Sequence, residues 1–357
     1  MGIFYFTLLS TYITGFLARI SSEKKYKLLF CLWISITAII LFLVAGLRNN
    51  IGDTYMYMHS YNLLAENRDN FNVDKDYAFT LMSILLLYIS SDPQILIFTV
   101  ALITNILNVA ILSKYISYFE LQIYMYITSG YYLVTMNGIR QSLAAAFVFA
   151  GTKYIIEGKL KKYIILILII STFHASALIM ILIYPIVRLE AWSKSSFKFI
   201  ILAIIGVLGY NILSDVLFKV LENTQYNVYS NFSEGGSSLI RTIVNSVPVV
   251  LAFIKRNEIK DKGKMSNIFI NMSIINLIFV TLGMYNWIFN RFTIYFQLYN
   301  FILVPYIIKN CFKDKERVLV YFMFLICYFI FFYREHVIGL NIQYKSNYKL
   351  SDFLYGG

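Results

Sequence analysis

The sequence predicts an all-α, polytopic integral membrane protein, with about 11–13 transmembrane or re-entrant helices at the usual length of roughly 20 apolar residues per span. Three observations carry that expectation. The 357 residues are 59% hydrophobic and only 14% charged, where a soluble domain holds about 25% charged residues. Apolar runs recur along the whole chain, giving a mean hydropathy of +0.66. The lysines and arginines gather in short segments between those runs, the distribution of cytoplasmic loops. The short alternating segments of a transmembrane barrel are missing.

Taken in order, the apolar runs are 3–20, 28–47, 78–90, 93–113, 118–135, 140–157, 163–187, 197–221, 239–255, 267–283, 288–308 and 318–333. Five basic connections separate them: Arg19 to Lys27, Lys159 to Lys162, Arg188 to Lys198, Lys255 to Lys264 and Lys309 to Arg317. Placing all five in the cytoplasm puts the amino terminus outside. It also puts outside a loop at 48–77 (Asp53, Glu66, Asp69, Asp74, Asp76) and another at 222–238 (Glu222, Glu234, Gly235, Gly236). No internal repeat or low-complexity linker divides the chain, so residues 1–357 read as one transmembrane domain. The formal net charge of +12 is accounted for by those loops and gives no reason to expect nucleic acid. Cys31, Cys311 and Cys327 lie in or beside apolar runs without ligand spacing, so neither a metal site nor a disulfide is expected.

Simple counting fails twice. One uninterrupted span at 118–135 would leave Arg140 inside and the basic 159–162 loop outside. The run at 163–187 both begins and ends at a basic loop. A broken or re-entrant element at Ser129-Gly130-Tyr131-Tyr132, and two half-helices meeting near Ser171-Thr172-Phe173-His174, reconcile both. Irregular backbone at membrane depth is tolerated where it lines a cavity, so a cavity open to the exterior is expected beside both breaks.

Polar residues at these places are the candidate functional groups. Arg140 and Gln141 open a helix continuing in small residues (Ser142, Ala144, Ala145, Ala146), which favour close helix packing. Arg140 therefore enters the bundle or, in the simpler alternative, snorkels to the interface. His174 is embedded in an apolar run, where an imidazole serves either proton transfer or hydrogen-bonded packing. Arg48 and Asp53, with Tyr57 and Tyr61, stand at the mouth of the expected cavity or form an ordinary interfacial belt. Asn290 and Arg291 begin another apolar run. Three arginines suit an anionic ligand, because a guanidinium stays charged when desolvated and grips phosphate with two parallel hydrogen bonds. No phosphate-cradling glycine loop is found, nor an outer-loop acidic pair suited to metal-dependent use of a sugar nucleotide.

The stretches Arg48 to Tyr57, Asn137-Gly138-Ile139-Arg140-Gln141-Ser142-Leu143-Ala144, Phe173-His174-Ala175-Ser176-Ala177-Leu178 and Asn290-Arg291-Phe292 together resemble the EpsG family, within the Wzy-type polysaccharide polymerases. The family places a residue between the glycine and aspartate of its first motif, whereas Gly52 and Asp53 are adjacent here. The resemblance implies a GT-C-like membrane transferase without cofactor or metal, in the bacterial cytoplasmic (inner) membrane with its site facing the periplasm or exterior. It would transfer a growing glycan between polyprenyl-diphosphate-linked oligosaccharides, with His174, Arg140 and Arg291 catalytic. Arg48, Asp53, Tyr57, Tyr61, Gln141 and Asn290 would contact substrate. Membrane lipid, a chain-length regulator and a flippase are the accompanying candidate partners. A flippase or exporter of the same lipid-linked units, or a ligase or acyl transferase of envelope glycans, are the competing functions.

Overall fold

The computed structural model describes residues 1–66, 76–210, 236–259 and 263–348. Asp69, Asp74, Glu222, Glu234, Gly235 and the end of the 197–221 run lie outside the described residues. Among the described residues the secondary structure is helical without strands, apart from one isolated bridge between Arg48 and Ser346. Five helices are long and apolar enough to cross a membrane: Gly2–Ile20, Lys24–Gly46, Gln94–Lys114, Lys264–Leu282 and Asp314–Gly339. The protein is thus an all-α polytopic membrane protein. Three of the other apolar runs, 118–135, 140–157 and 163–187, are each divided into shorter helices.

The chain forms two compact units. The first comprises Met1–Tyr154, Lys159–Ile181 and Lys313–Gly357, the second Ile155–Gly158 and Leu182–Phe312. In the first unit, α1 (Gly2–Ile20), α2 (Lys27–Gly46), α3 (Thr54–Glu66), α4 (Tyr77–Leu87) and α5 (Gln94–Lys114) precede two short helices, α6 (Phe119–Thr128) and α7 (Tyr131–Asn137). These two are the broken element expected at Ser129–Tyr132. Gly130 has φ +83, and the His336 imidazole packs where its side chain would be. Only glycine reaches that left-handed conformation without a Cβ penalty, so the chain stops and restarts there.

Helices α8 (Ile139–Ala150) and α9 (Thr152–Ile156) follow, then α10 (Leu160–Ser171). The second expected break is also present: α10 stops at Ser171, His174 is extended, and a 3-10 turn at Ala175–Leu178 leads into α11 (Ile179–Val187). The acidic 48–77 stretch is more ordered than an external loop. It contains α3, whose Thr54, Tyr57, Tyr61 and Leu64 are buried at the three- and four-residue spacing of one helical face. That stripe joins Phe79, Leu86 and Leu87 of α4, Leu96, Ile97 and Val100 of α5, and Ile139 and Leu143 of α8 in one apolar cluster. The cluster brings together the elements that carry the polar site.

The unit closes with α17 (Asp314–Phe332) and the wide turn Tyr333–Gly339. Its deepest ionic contact is Glu120, fully buried on α6. Arg19 reaches it at 3.0 Å, and the Tyr321 hydroxyl donates to Oε1 at 2.9 Å.

In the second unit, α12 (Lys194–Leu208), α13 (Leu239–Ile254), α14 (Arg256–Ile259), α15 (Lys264–Leu282) and α16 (Ile288–Cys311) are the described helices wholly within it. Buried asparagines stitch its backbone. Asn271 donates to the Val187 and Leu189 carbonyls at 3.1 and 2.8 Å, and Asn276 donates to Asn245 at 2.9 Å. Phe279 of α15 stacks on Phe292 and Phe296 of α16, with ring centroids 5.2 and 5.6 Å apart.

Candidate active site

The polar centre of the first unit is Asp76, the residue before α4. Its backbone is left-handed (φ 55, ψ 49), a conformation aspartate tolerates better than most residues. The Asp76 carbonyl accepts from the Phe79 and Thr80 amides at 3.0 and 3.1 Å, starting the helix. Its carboxylate makes no capping bond to that helix, although a side-chain cap is commonly worth about 1 kcal/mol. The carboxylate points elsewhere.

It points at Arg140 and His174. Arg140 Nη1 donates to Asp76 Oδ2 at 2.9 Å, and His174 Nδ1 stands 3.5 Å from the same oxygen. The three side chains are 35%, 20% and 11% exposed for Arg140, His174 and Asp76, enough to be reached from one side yet largely withdrawn from solvent. The Arg140 guanidinium also lies over Tyr57 and Phe79, 5.5 and 5.8 Å from the ring centroids. Those faces offer the cation an attractive quadrupole. Beside it, Gln141 donates to Ser176 Oγ at 3.2 Å, linking α8 to the turn after His174. The Ala78 amide donates to the Thr172 carbonyl at 2.9 Å and fixes the start of α4 against the same turn.

The arrangement specifies an imidazole tautomer. A carboxylate facing Nδ1 favours the proton on that nitrogen, which leaves the Nε2 lone pair as the proton acceptor. Nδ1 is buried without a hydrogen bond of good geometry, and the Asp76 carboxylate is the charged group that faces it.

The residues of the first motif are tied to this site from behind. Asp53 accepts nothing from Arg48. Its backbone amide instead donates to Asn137 Oδ1 at 3.0 Å. Gly52, at φ +55, lies so close to Asn137 that a Cβ would overlap it. Arg48 is 1% exposed. Its Nε donates to Thr54 Oγ1 at 3.0 Å, Nη2 to the Met136 carbonyl at 2.6 Å, and Nη1 to the Ala45 carbonyl. Burial pushes the guanidinium down to about 10 from its ordinary value, so it remains a cation at neutral pH. The expectation of Arg48 at a cavity mouth meets a different geometry: its fork clasps α2, the start of α3 and α7. Tyr61 is buried and donates to the Ser90 carbonyl at 2.9 Å.

Asn290 and Arg291 lie in the second unit, at the start of α16. Asn290 donates to the Gly283 carbonyl at 3.4 Å, and the Arg291 guanidinium lies 4.9 Å from the Trp287 ring centroid. The structure thus joins Tyr57, Arg140, Gln141 and His174 around Asp76. Sequence reasoning noticed Asp76 only as one more acidic residue of an outer loop. Its signal was position: it is the last charge before the apolar run at 78–90. Among the described residues no group of three or more His, Cys, Asp or Glu side chains is gathered to hold a metal ion.

Fold and site together define a polytopic helical membrane protein with a half-buried arginine–aspartate–histidine cluster. The EpsG family model matches residues 31–350, and the chain belongs to the EpsG family. Membership points to a polysaccharide polymerase-type membrane protein. No curated protein sequence matches the chain, and no solved structure does.

Proposed function

We propose that this chain polymerises polyprenyl-diphosphate-linked oligosaccharide units into a surface polysaccharide, at the outer face of the bacterial cytoplasmic membrane. Family membership supports the substrate class. One observation carries the chemistry: a permanent cation, Arg140, and an imidazole, His174, converge on one oxygen of Asp76.

In the reaction, a hydroxyl oxygen at the non-reducing end of the incoming unit attacks the anomeric carbon of the growing glycan. The bond from that carbon to the diphosphate oxygen breaks, and the departing polyprenyl diphosphate keeps the electron pair. The hydroxyl proton passes to His174 Nε2. Arg140 stabilises the charge that develops on the diphosphate, and a poorly hydrated setting strengthens that interaction. A single direct displacement inverts the anomeric centre. The cation is an arginine, so the reading requires no metal. Tyr57 and Gln141 flank Arg140 and are assigned to substrate contact, as is Asp53, whereas enclosed Tyr61, bonded to the Ser90 carbonyl, is assigned to supporting α3. Arg291 and Asn290, in the second unit, are candidates for substrate contact by resemblance alone, and Arg48 supports Arg140 and His174 from behind. A chain-length regulator and a flippase are the implied partners.

The test is gel analysis of surface glycan from cells carrying Arg140→Ala or His174→Ala at normal protein level. Loss of the ladder with retention of single-unit glycan is expected. A full-length ladder from both variants would overturn the assignment. Loss of every lipid-linked unit from the outer leaflet would favour a flippase instead, and accumulation of unattached full-length polymer would favour a ligase.

A further inference from the structure

We propose that Asp76 is the positioning residue of this site: a shared counter-ion that holds Arg140 until an anionic donor arrives, then releases it and closes on His174. The proposal rests on the polymerase reading for its turnover arm and on geometry alone for its binding arm.

Four features of the first unit converge on this assignment. Asp76 occupies the N-terminal cap position of α4 without capping it, so its carboxylate is committed to other partners. Those partners, Arg140 and His174, reach the same oxygen, Oδ2, at 2.9 and 3.5 Å. The shorter contact is an ion pair. The longer one is slightly beyond a well-made hydrogen bond, whose usual limit is about 3.2 Å between nitrogen and oxygen. Asp76 therefore divides unequally between the two, in favour of the cation. Finally, the tie between the Ala78 amide and the Thr172 carbonyl keeps the start of α4 beside the His174 turn whatever Arg140 does.

An incoming diphosphate competes with Asp76 for the guanidinium. It brings more charge and can take two of the five arginine donors at once. When it does, Oδ2 loses its nearer partner and is free to close on His174 Nδ1. The base is then oriented when the donor is bound. In the empty site the same carboxylate neutralises Arg140 and lowers its attraction for unrelated anions.

Two opposite effects are expected from Asp76→Asn, which keeps the size of the side chain and tolerates the left-handed backbone. Detergent-purified full-length protein should bind inorganic pyrophosphate about fivefold more tightly by calorimetry, the worth of a half-exposed ion pair no longer competing. Turnover of lipid-linked oligosaccharide should fall roughly 100-fold in kcat, at the low end of what a positioned general base contributes, with KM unchanged or lower. A residue with only a structural role would not tighten binding while slowing turnover. Asp76→Glu keeps the charge and should bind pyrophosphate within about twofold of the unaltered protein.

Unchanged pyrophosphate affinity and unchanged kcat in Asp76→Asn would overturn the assignment and leave the polymerase reading standing. So would an Asp76→Glu variant that binds as tightly as Asp76→Asn is expected to, and that comparison stands alone if Asp76→Asn does not purify as a monodisperse species. Arg140→Ala should lose pyrophosphate binding; if it binds as before, the anion site itself is misplaced. Tighter binding in Asp76→Asn without any polymerising activity in the unaltered protein would preserve the counter-ion and remove the polymerase.

Discussion

At the scale of the residue, the same side chain does two different jobs in this protein. Arg140 is half exposed, shares its carboxylate with His174, and retains donors for a ligand. Arg48 is enclosed and gives donors to Thr54 and to two backbone carbonyls. Both were legible as functional candidates, because an arginine beside an apolar run is costly and rarely idle. Which of them stays reachable by solvent was not legible, since that depends on the path of α7, whose Met136 carbonyl closes over Arg48. Asp76 was missed for the converse reason: in an outer loop rich in carboxylates, one more resembles a solvated charge. Arg48→Lys is expected to lower stability by about 3 kcal/mol, the worth of one or two hydrogen bonds from a charged donor. Thermal denaturation of purified protein, followed by size exclusion, would register it. An unchanged melting temperature would mean that the clasp is not a stabilising contact.

At the scale of the element, the breaks matter more than the helices. Both interruptions were legible from arithmetic on loop charge, because an odd number of crossings had to be absorbed somewhere. Their geometry follows from local chemistry: Gly130 at φ +83 ends α6, and extended His174 separates α10 from its 3-10 continuation. Helix α3 was not legible, since Thr54–Glu66 is too short and too mixed in polarity to stand out from a loop. It forms because its Tyr57, Tyr61 and Leu64 stripe has α4, α5 and α8 to pack against. Gly52→Ala tests how α3 is seated. Left-handed backbone costs an alanine roughly 1–2 kcal/mol, and the new methyl would overlap Asn137. The expected outcome is a lower melting temperature together with reduced polymer length on gels. Unaltered glycan would show that the Asp53 turn is not needed to seat Arg140. Glu120→Gln tests the other fixed point. Replacing the carboxylate that Arg19 and Tyr321 both reach should cost about 1 kcal/mol, because the Arg19 left behind is partly exposed, read as a fall in melting temperature. A melting temperature equal to that of the unaltered protein would mean that the pair does not help to hold α1, α6 and α17 together.

At the scale of the whole molecule, composition was sufficient for the class, because five long apolar helices leave no soluble alternative. The sidedness proposed from the basic loops is open to direct measurement. With Cys31, Cys311 and Cys327 replaced, a single cysteine at exposed Tyr55 should react with an impermeant maleimide on intact cells. One at exposed Lys25 should react only after lysis. Labelling of the Lys25 position on intact cells, with the Tyr55 position reacting only after lysis, would reverse the proposed direction of polymer synthesis.

The end of the described chain has its own consequence. The Asn49 amide donates to the Lys345 carbonyl at 3.0 Å, the Lys345 amide to Asn50 Oδ1 at 2.8 Å, and Asn50 to the Gln343 carbonyl at 2.6 Å. Residues 295 positions apart in the chain therefore form one hydrogen-bonded seam. Truncation before Gln343 removes every one of these bonds and is expected to lower the melting temperature of the purified protein sharply. For the same reason, shuffling the tail between relatives should succeed only when the segment around Asn49 travels with it.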